Sequence, residues 1–163
     1  MDTHQLTISY AEVQDAASLP EADRDLLGKA WQACESAYSP YSKFKVGVAL
    51  RLSNDIIFLG NNQENAAYPS GLCAERVAIF SASANQPGVP IQSLAVVAKT
   101  DIFLLSDPVT PCGSCRQVMA EYEMLSGKPV RILLQGSKGG RIWIIEGIQN
   151  LLPLMFHGNE LKK

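Results

Sequence analysis

Three cysteines and a glutamate carry the chemistry that can be read from this sequence. Cys73-Ala74-Glu75 comes first, and Pro111-Cys112-Gly113-Ser114-Cys115 follows well downstream. Thiolates are good zinc ligands, with bonds of about 2.3 Å in tetrahedral sites. Two cysteines spaced as Cys112-x-x-Cys115 at a helix start can turn both sulfurs onto one ion, and Cys73 supplies a third from a second helix. The free N–H groups and positive dipole ends of both helices stabilise the thiolates. Three protein ligands leave one coordination position open, as a catalytic zinc requires for its water. Glu75 stands two residues past the first ligand, close enough to reach that position without binding the metal. A carboxylate there can take a proton from the water and deliver it to a substrate.

Other readings of the same residues exist. Cys112-x-x-Cys115 alone fits a redox dithiol, and Cys34 could complete a four-cysteine structural zinc site. The first leaves Cys73-Ala74-Glu75 without a purpose, and the second leaves Glu75 without a task. Four cysteines could also pair as two disulfides, but only in an oxidising compartment, to which nothing here points. Cys34 falls on an apolar helical stripe, where free cysteine packs as a small core residue. His4 and His157 read as surface residues, and Glu121 and Glu123 as the solvated side of a helix. Gly136 to Gly140 lacks the spacing of a phosphate loop and reads as a hairpin connection.

The elements that must position these residues follow from periodicity. Residues 1–17 read as a loosely held arm and 18–163 as one catalytic domain. Ser18 and Glu21 have the spacing of a capping box, with Pro20 suited to a first turn. Leu27, Trp31 with Ala30, Cys34 and Tyr38 then recur at helical intervals until Ser39-Pro40. Val46, Val48 and Leu50 alternate, and Ile56 to Leu59 follow a turn at Ser53-Asn54-Asp55, which predicts a strand pair. Cys73 to Ala84 reads as a helix, and the apolar run Leu94 to Ala98 as a strand buried on both faces. Pro111 opens a third helix with Val118, Met119, Tyr122 and Leu125 on one side. Val130 to Leu134 and Ile142 to Ile145 complete five strands. The order α-β-β-α-β-α-β-β predicts an α/β fold with helices on a mixed sheet.

Composition narrows the substrate. The chain of 163 residues carries 14 basic and 16 acidic side chains, a formal charge of −2. Proteins that grip a phosphate backbone usually carry a clear basic excess, so no nucleic-acid polymer is expected as partner. Residues 1–10 lack the order of a signal peptide, and no apolar run is long enough for a bilayer. A cytoplasmic protein without a membrane partner is the expectation.

A ligand-x-Glu segment followed by Pro-Cys-x-x-Cys is the pattern of zinc deaminases, with cysteine allowed in the first place. Around it stand Tyr38-Ser39-Pro40-Tyr41-Ser42-Lys43-Phe44 with Val46-Gly47, then Asn62-Gln63-Glu64-Asn65-Ala66. Cys73 to Arg76, Pro111 to Gln117, and Leu151-Leu152-Pro153 with Phe156 complete the set. From about Tyr38 to Phe156 the sequence resembles the cytidine deaminase family in its small, three-cysteine form. That resemblance implies a three-layer α/β/α fold with a mixed five-stranded sheet, and a homotetramer with shared active sites. It implies hydrolytic deamination of cytidine and deoxycytidine in pyrimidine salvage, with one zinc per chain on Cys73, Cys112 and Cys115.

By the same resemblance Glu75 is catalytic, Phe44 stacks on the pyrimidine, and Asn62 and Glu64 hydrogen-bond the ribose 3′-hydroxyl. The backbone N–H of Ala74 meets the base carbonyl, and Phe156 packs over the base from a neighbouring subunit. Arg76 and Gln117 sit behind the metal ligands. Three thiolates on a zinc dication leave a net charge of −1, and an arginine hydrogen-bonded to the sulfurs withdraws part of it. A phosphate beside Glu64 would be repelled, which favours nucleosides. Two features depart from the family pattern, a longer arm before Pro20 and a proline at Pro69 just before the metal helix. Pro69 bears on a loop that neighbouring subunits share. Blasticidin-type, guanine or polynucleotide deamination keeps the zinc chemistry with another substrate, and a non-catalytic zinc module is the remaining alternative.

Overall fold

Alternation at Val46, Val48 and Leu50 places them in a strand that we label β2 (Phe44–Leu52), which turns back into β3 (Ile57–Asn61). The turn closes with Asp55 N–H donating to the Leu52 carbonyl at 3.0 Å, and Asp55 takes a left-handed φ of 64°. Asp tolerates that region better than bulkier residues do. A computed structural model describes residues 1–161 of the chain. In it β4 (Ile91–Thr100) is buried continuously from Ser93 to Ala98, as the unbroken apolar run predicts. It pairs antiparallel with β2 and parallel with β5 (Arg131–Gln135), which in turn pairs antiparallel with β6 (Ile142–Glu146).

The sheet has six strands, not five, in the order β1-β6-β5-β4-β2-β3. The additional one is β1 (Ala11–Val13), which lies within the residues expected to form a loose arm and pairs antiparallel with β6. Three residues are too few for alternation to show, so β6 rather than local pattern selects them. The Trp143 indole donates to Glu12 at 2.8 Å, and the Tyr10 ring lies 4.8 Å from that of Trp143.

Helices cover both faces, giving the three-layer α/β/α arrangement. On one side, α1 (Glu21–Glu35) buries Leu26, Leu27, Ala30 and Cys34 against Ala49, Ala95, Val97 and Leu133. On the other, α2 (Ala74–Asn85) and α3 (Gly113–Ser126) pack Ala78, Ile79, Ala82 and Met119 against Val48, Leu50, Val96 and Leu134. Neighbours such as Val48 and Ala49 serve opposite layers, which is the period of two that a strand imposes. Ala74, Ala78 and Ala82 repeat every fourth residue and bring α2 close to the sheet. Gly60 of β3 lies directly beneath, and a Cβ there would stand 2.4 Å from the Ala74 carbonyl oxygen.

Three local expectations are corrected. The capping box does not form: the Ser18 hydroxyl donates to the Asp15 carbonyl at 2.7 Å, and Pro20 occupies the N-cap without a side-chain acceptor. Ser18 instead closes a short 3-10 turn over Ala16–Ser18 that is capped by Asp15. Tyr38 also falls beyond the end of α1 and is exposed. Glu121 faces solvent, but Glu123 does not simply do so. Its carboxylate accepts from the Val130 N–H at 2.7 Å and the Ile148 N–H at 3.0 Å, pinning α3 to the start of β5 and the turn after β6. Among the described residues, no helix is long and apolar enough to cross a membrane.

Candidate active site

Cys73 and Cys112 occupy equivalent places, the N-caps of α2 and α3, each in extended backbone conformation. Neither side chain caps its own helix, so both sulfurs are free to point elsewhere. Their Sγ atoms lie 3.9 Å apart, and with the buried Cys115 all three fall within 4.8 Å of one another. Four zinc–sulfur-length bonds in a tetrahedron would separate ligands by about 3.8 Å. The three cysteines are free thiols, and the spacing is that of a metal donor set. Cys34 is elsewhere, fully buried beneath α1, where burial pushes its thiol up to about 11.

Charge is distributed unevenly over the cluster. A hydrogen bond from the Cys115 thiol, against the effect of burial, and others from Arg76 and Cys112 bring Cys73 down to about 5. Cys115 is pushed up by that same hydrogen bond, by burial and by the nearby Glu75 charge. Cys73 therefore ionises before Cys115, as acceptor of the Cys115 hydrogen bond, with further support from the Arg76 guanidinium 3.8 Å from its sulfur. Glu75 follows Ala74 in the first turn of α2 and is only 4% exposed. Burial first, and then the Cys73 charge, raise its carboxyl above the ordinary range. A carboxyl so placed can hold a proton closer to neutrality than a free one.

Beside Cys73 and Arg76 opens a cavity of about 510 Å³ whose walls include Tyr41, Ser42, Asn62 and Glu64. Glu64 accepts from the N–H groups of Tyr41 at 2.9 Å and Ser42 at 3.3 Å, and from the Ser42 hydroxyl. Burial works to raise the Glu64 carboxyl, but these donors outweigh it and hold it below the usual carboxylate range. The Ser42 oxygen also accepts the Phe44 N–H at 3.0 Å. The Asn62 amide donates to the Phe44 carbonyl at 2.9 Å and accepts from the Val46 N–H at 2.8 Å. Both peptide groups of Phe44 are thus clamped by residues of the cavity wall.

A family model described as the cytidine and deoxycytidylate deaminase zinc-binding region matches residues 20–126. This chain belongs to that deaminase family. The match includes all three clustered cysteines and Glu75. Similar proteins include a cytidine deaminase of Sporosarcina psychrophila, 48% identical over 98 residues, covering 60% of this chain and 67% of that one. Another, from Mycobacterium tuberculosis H37Rv, is 38% identical over 117 residues, covering 69% of this chain and 84% of that one. The crystal structure of cytidine deaminase from Burkholderia pseudomallei superposes with a TM-score of 0.70 at 38% identity. It covers 85% of this chain and 100% of that one.

In this deaminase the donor set fits one zinc ion per chain. The structure brings Cys73, Cys112, Cys115, Glu75 and Arg76 together, with Asn62 and Glu64 along the adjoining cavity. Gln117, two residues after Cys115, donates its amide to the Phe156 carbonyl at 2.9 Å, holding the segment after β6 against α3. Phe156 is half exposed and does not line the cavity of its own chain. Pro69 lies in a 3-10 turn, Tyr68–Ser70, at the cavity edge. Arg116 carries no sequence signal beyond its place directly after Cys115. Its guanidinium donates to the carbonyls of Pro111 at 2.7 Å and Leu151 at 2.6 Å and to the Thr110 hydroxyl at 2.9 Å. Those bonds brace the loop that delivers Cys112.

Proposed function

We propose that the chain hydrolyses cytidine and deoxycytidine to uridine and deoxyuridine, releasing ammonia, as a step of pyrimidine salvage. The observation that carries this reading is a buried carboxyl, Glu75, set against a three-sulfur metal site beside a cavity that Ser42, Asn62 and Glu64 line together with Cys73 and Arg76. Cys73, Cys112 and Cys115 hold the zinc, which when bound makes a water molecule more acidic at neutral pH. Glu75 takes a proton from the attacking water and gives it to ring nitrogen 3 as carbon 4 is attacked; it then takes the proton of the new carbon 4 hydroxyl and passes it to the amine, which leaves as ammonia as the C4–N bond breaks and the C4 carbonyl forms. Arg76 draws charge from the Cys73 sulfur, and Gln117 stands with it behind the metal ligands.

Phe44 stacks on the pyrimidine, and Asn62 and Glu64 take the ribose 3′-hydroxyl. The Ala74 N–H, in the first turn of α2, meets the base carbonyl. Phe156 reaches the base of a neighbouring subunit in a cytoplasmic homotetramer. Its exposure in the single chain leaves it available for that. Sedimentation at assay concentration should give a tetramer; an active monomer would remove the role of Phe156.

Cytidine and deoxycytidine should lose absorbance as they are converted, while cytidine 3′-monophosphate and single-stranded oligonucleotides should not. Glu64 is held ionised and repels a 3′-phosphate, and a chain of charge −2 attracts no polymer. Faster turnover of an oligonucleotide than of the nucleoside would assign the site to polymer editing instead.

Cys112→Ala and Cys115→Ala should each bring zinc from about one per chain to near zero by elemental analysis. Cys34→Ala should keep its zinc and lose only about 1–2 kcal/mol of stability, the effect of a small cavity in a packed core. Loss of metal from the Cys34 variant alone would overturn the ligand assignment.

A further inference from the structure

The chain leaving β4 passes beside the first residue of β2, because Phe44 pairs with Thr100 in the sheet register. The Thr100 hydroxyl accepts the Ile102 N–H at 3.3 Å, turning the backbone there. Ile102, Phe103 and Leu104 follow as three exposed apolar residues, and of these Phe103 has an aromatic partner. Its ring centroid lies 6.4 Å from that of Phe44 with the planes 29° apart, an offset stack. Phe103 belongs to a separate depression with Trp31, Glu35 and Lys99, and it does not line the cavity beside Cys73. Phe44 does not line that cavity either: its backbone is held by the wall residues Ser42 and Asn62, and its ring lies against Phe103. Ser42 and Asn62 clamp the Phe44 backbone but leave its ring free to turn about the side-chain torsions. The Phe103 ring stands against one side of it.

We infer that Phe103 is a positioning residue for the pyrimidine base: its ring holds Phe44 in the plane in which Phe44 stacks on substrate. The inference rests on the reading of Phe44 as the stacking residue. Phe103 touches neither the metal site nor Glu75, so it acts on substrate affinity and not on proton transfer. A stacked aromatic pair accounts for an effect of about threefold to tenfold.

Steady-state kinetics on the zinc-loaded protein with cytidine test it. Phe103→Ala should raise KM about threefold to tenfold with kcat within about twofold, the split expected when binding alone is affected. Phe103→Tyr, which keeps the ring, should restore KM. Leu104→Ala, at a residue 86% exposed, should match the parent. Phe44→Ala should raise KM further, and adding Phe103→Ala to it should have no additional effect, since the two act as one unit. A parental KM in Phe103→Ala beside a raised KM in Phe44→Ala would overturn the inference and leave the stacking reading intact. So would additive losses in the double variant, or a fall in kcat without a rise in KM. A parental KM in Phe44→Ala would overturn the stacking reading itself, and this inference with it.

Discussion

Glu75→Gln is expected to retain one zinc per chain while deamination falls by at least about 10⁴-fold, at or above the top of the range for general acid–base catalysis. The substitution preserves size and hydrogen-bonding ability but removes the group that can bind and release a proton. The three sulfurs do not involve Glu75 as a donor, so metal binding survives. The loss is large because one carboxyl serves water activation, ring protonation and amine departure in turn. Its burial at 4% exposure leaves no bulk water positioned to substitute for it. Zinc content measured beside turnover separates the possibilities. Full zinc with near-normal turnover would refute the proton-transfer role and favour a structural metal site.

Gly60→Ala is expected to damage the metal site from the opposite side of α2. The new Cβ would lie 2.4 Å from the Ala74 carbonyl oxygen, 2.6 Å from the Ala78 nitrogen and 2.9 Å from the Ala78 Cβ. Two of these are backbone atoms, so no side chain can swing aside and the helix itself must shift. Overpacking of this kind destabilises by about 1–3 kcal/mol, occasionally more. Ala74 follows Cys73, and moving its carbonyl moves a proposed ligand and the N–H proposed for the base. Zinc per folded chain and turnover should both fall.

Gly47→Ala provides the comparison, since its Cβ would stand 2.2 Å from the Ala30 carbonyl oxygen and displace α1. That helix carries no member of the donor set, so the variant should melt earlier yet hold zinc when folded. Thermal melts with zinc analysis of the folded fraction decide the matter. A Gly60→Ala protein with parental melting and full zinc would refute the account. Equal zinc loss in both variants would refute the distinction between the two faces.

The chemistry was legible in the sequence because it is local. Cys73, Glu75, Cys112 and Cys115 lie at helix starts that can be recognised from short motifs, and only the meeting of the two helices required the fold. The five longer strands were legible for a similar reason, since alternation or an unbroken apolar run extends over several residues. What escaped depends on partners distant in the chain. Glu123 looks solvated in a helical projection, and only the arrival of Val130 and Ile148 makes it a shared acceptor. Ser18 had the spacing of a cap, but its hydroxyl found the nearer Asp15 carbonyl. Ser42 sat inside a recognised motif without a task until Glu64 and Phe44 were seen to converge on it.

The pairing of β1 with β6 bears on how the chain is made. Ala11 faces Ile144 and Val13 faces Ile142, so these residues must wait for the four intervening strands and β6 itself before finding their partners. Contacts between distant segments form late, because loop-closure entropy opposes them until the intervening structure has condensed. During synthesis β1 emerges before every other strand of the sheet, and β6 after them all. Until β1 docks, β6 presents a row of unpaired backbone groups to any other extended chain, and such an edge invites aggregation. The short first strand thus acts as a closing seal, and the interval before it docks is when newly made chains are most exposed to one another.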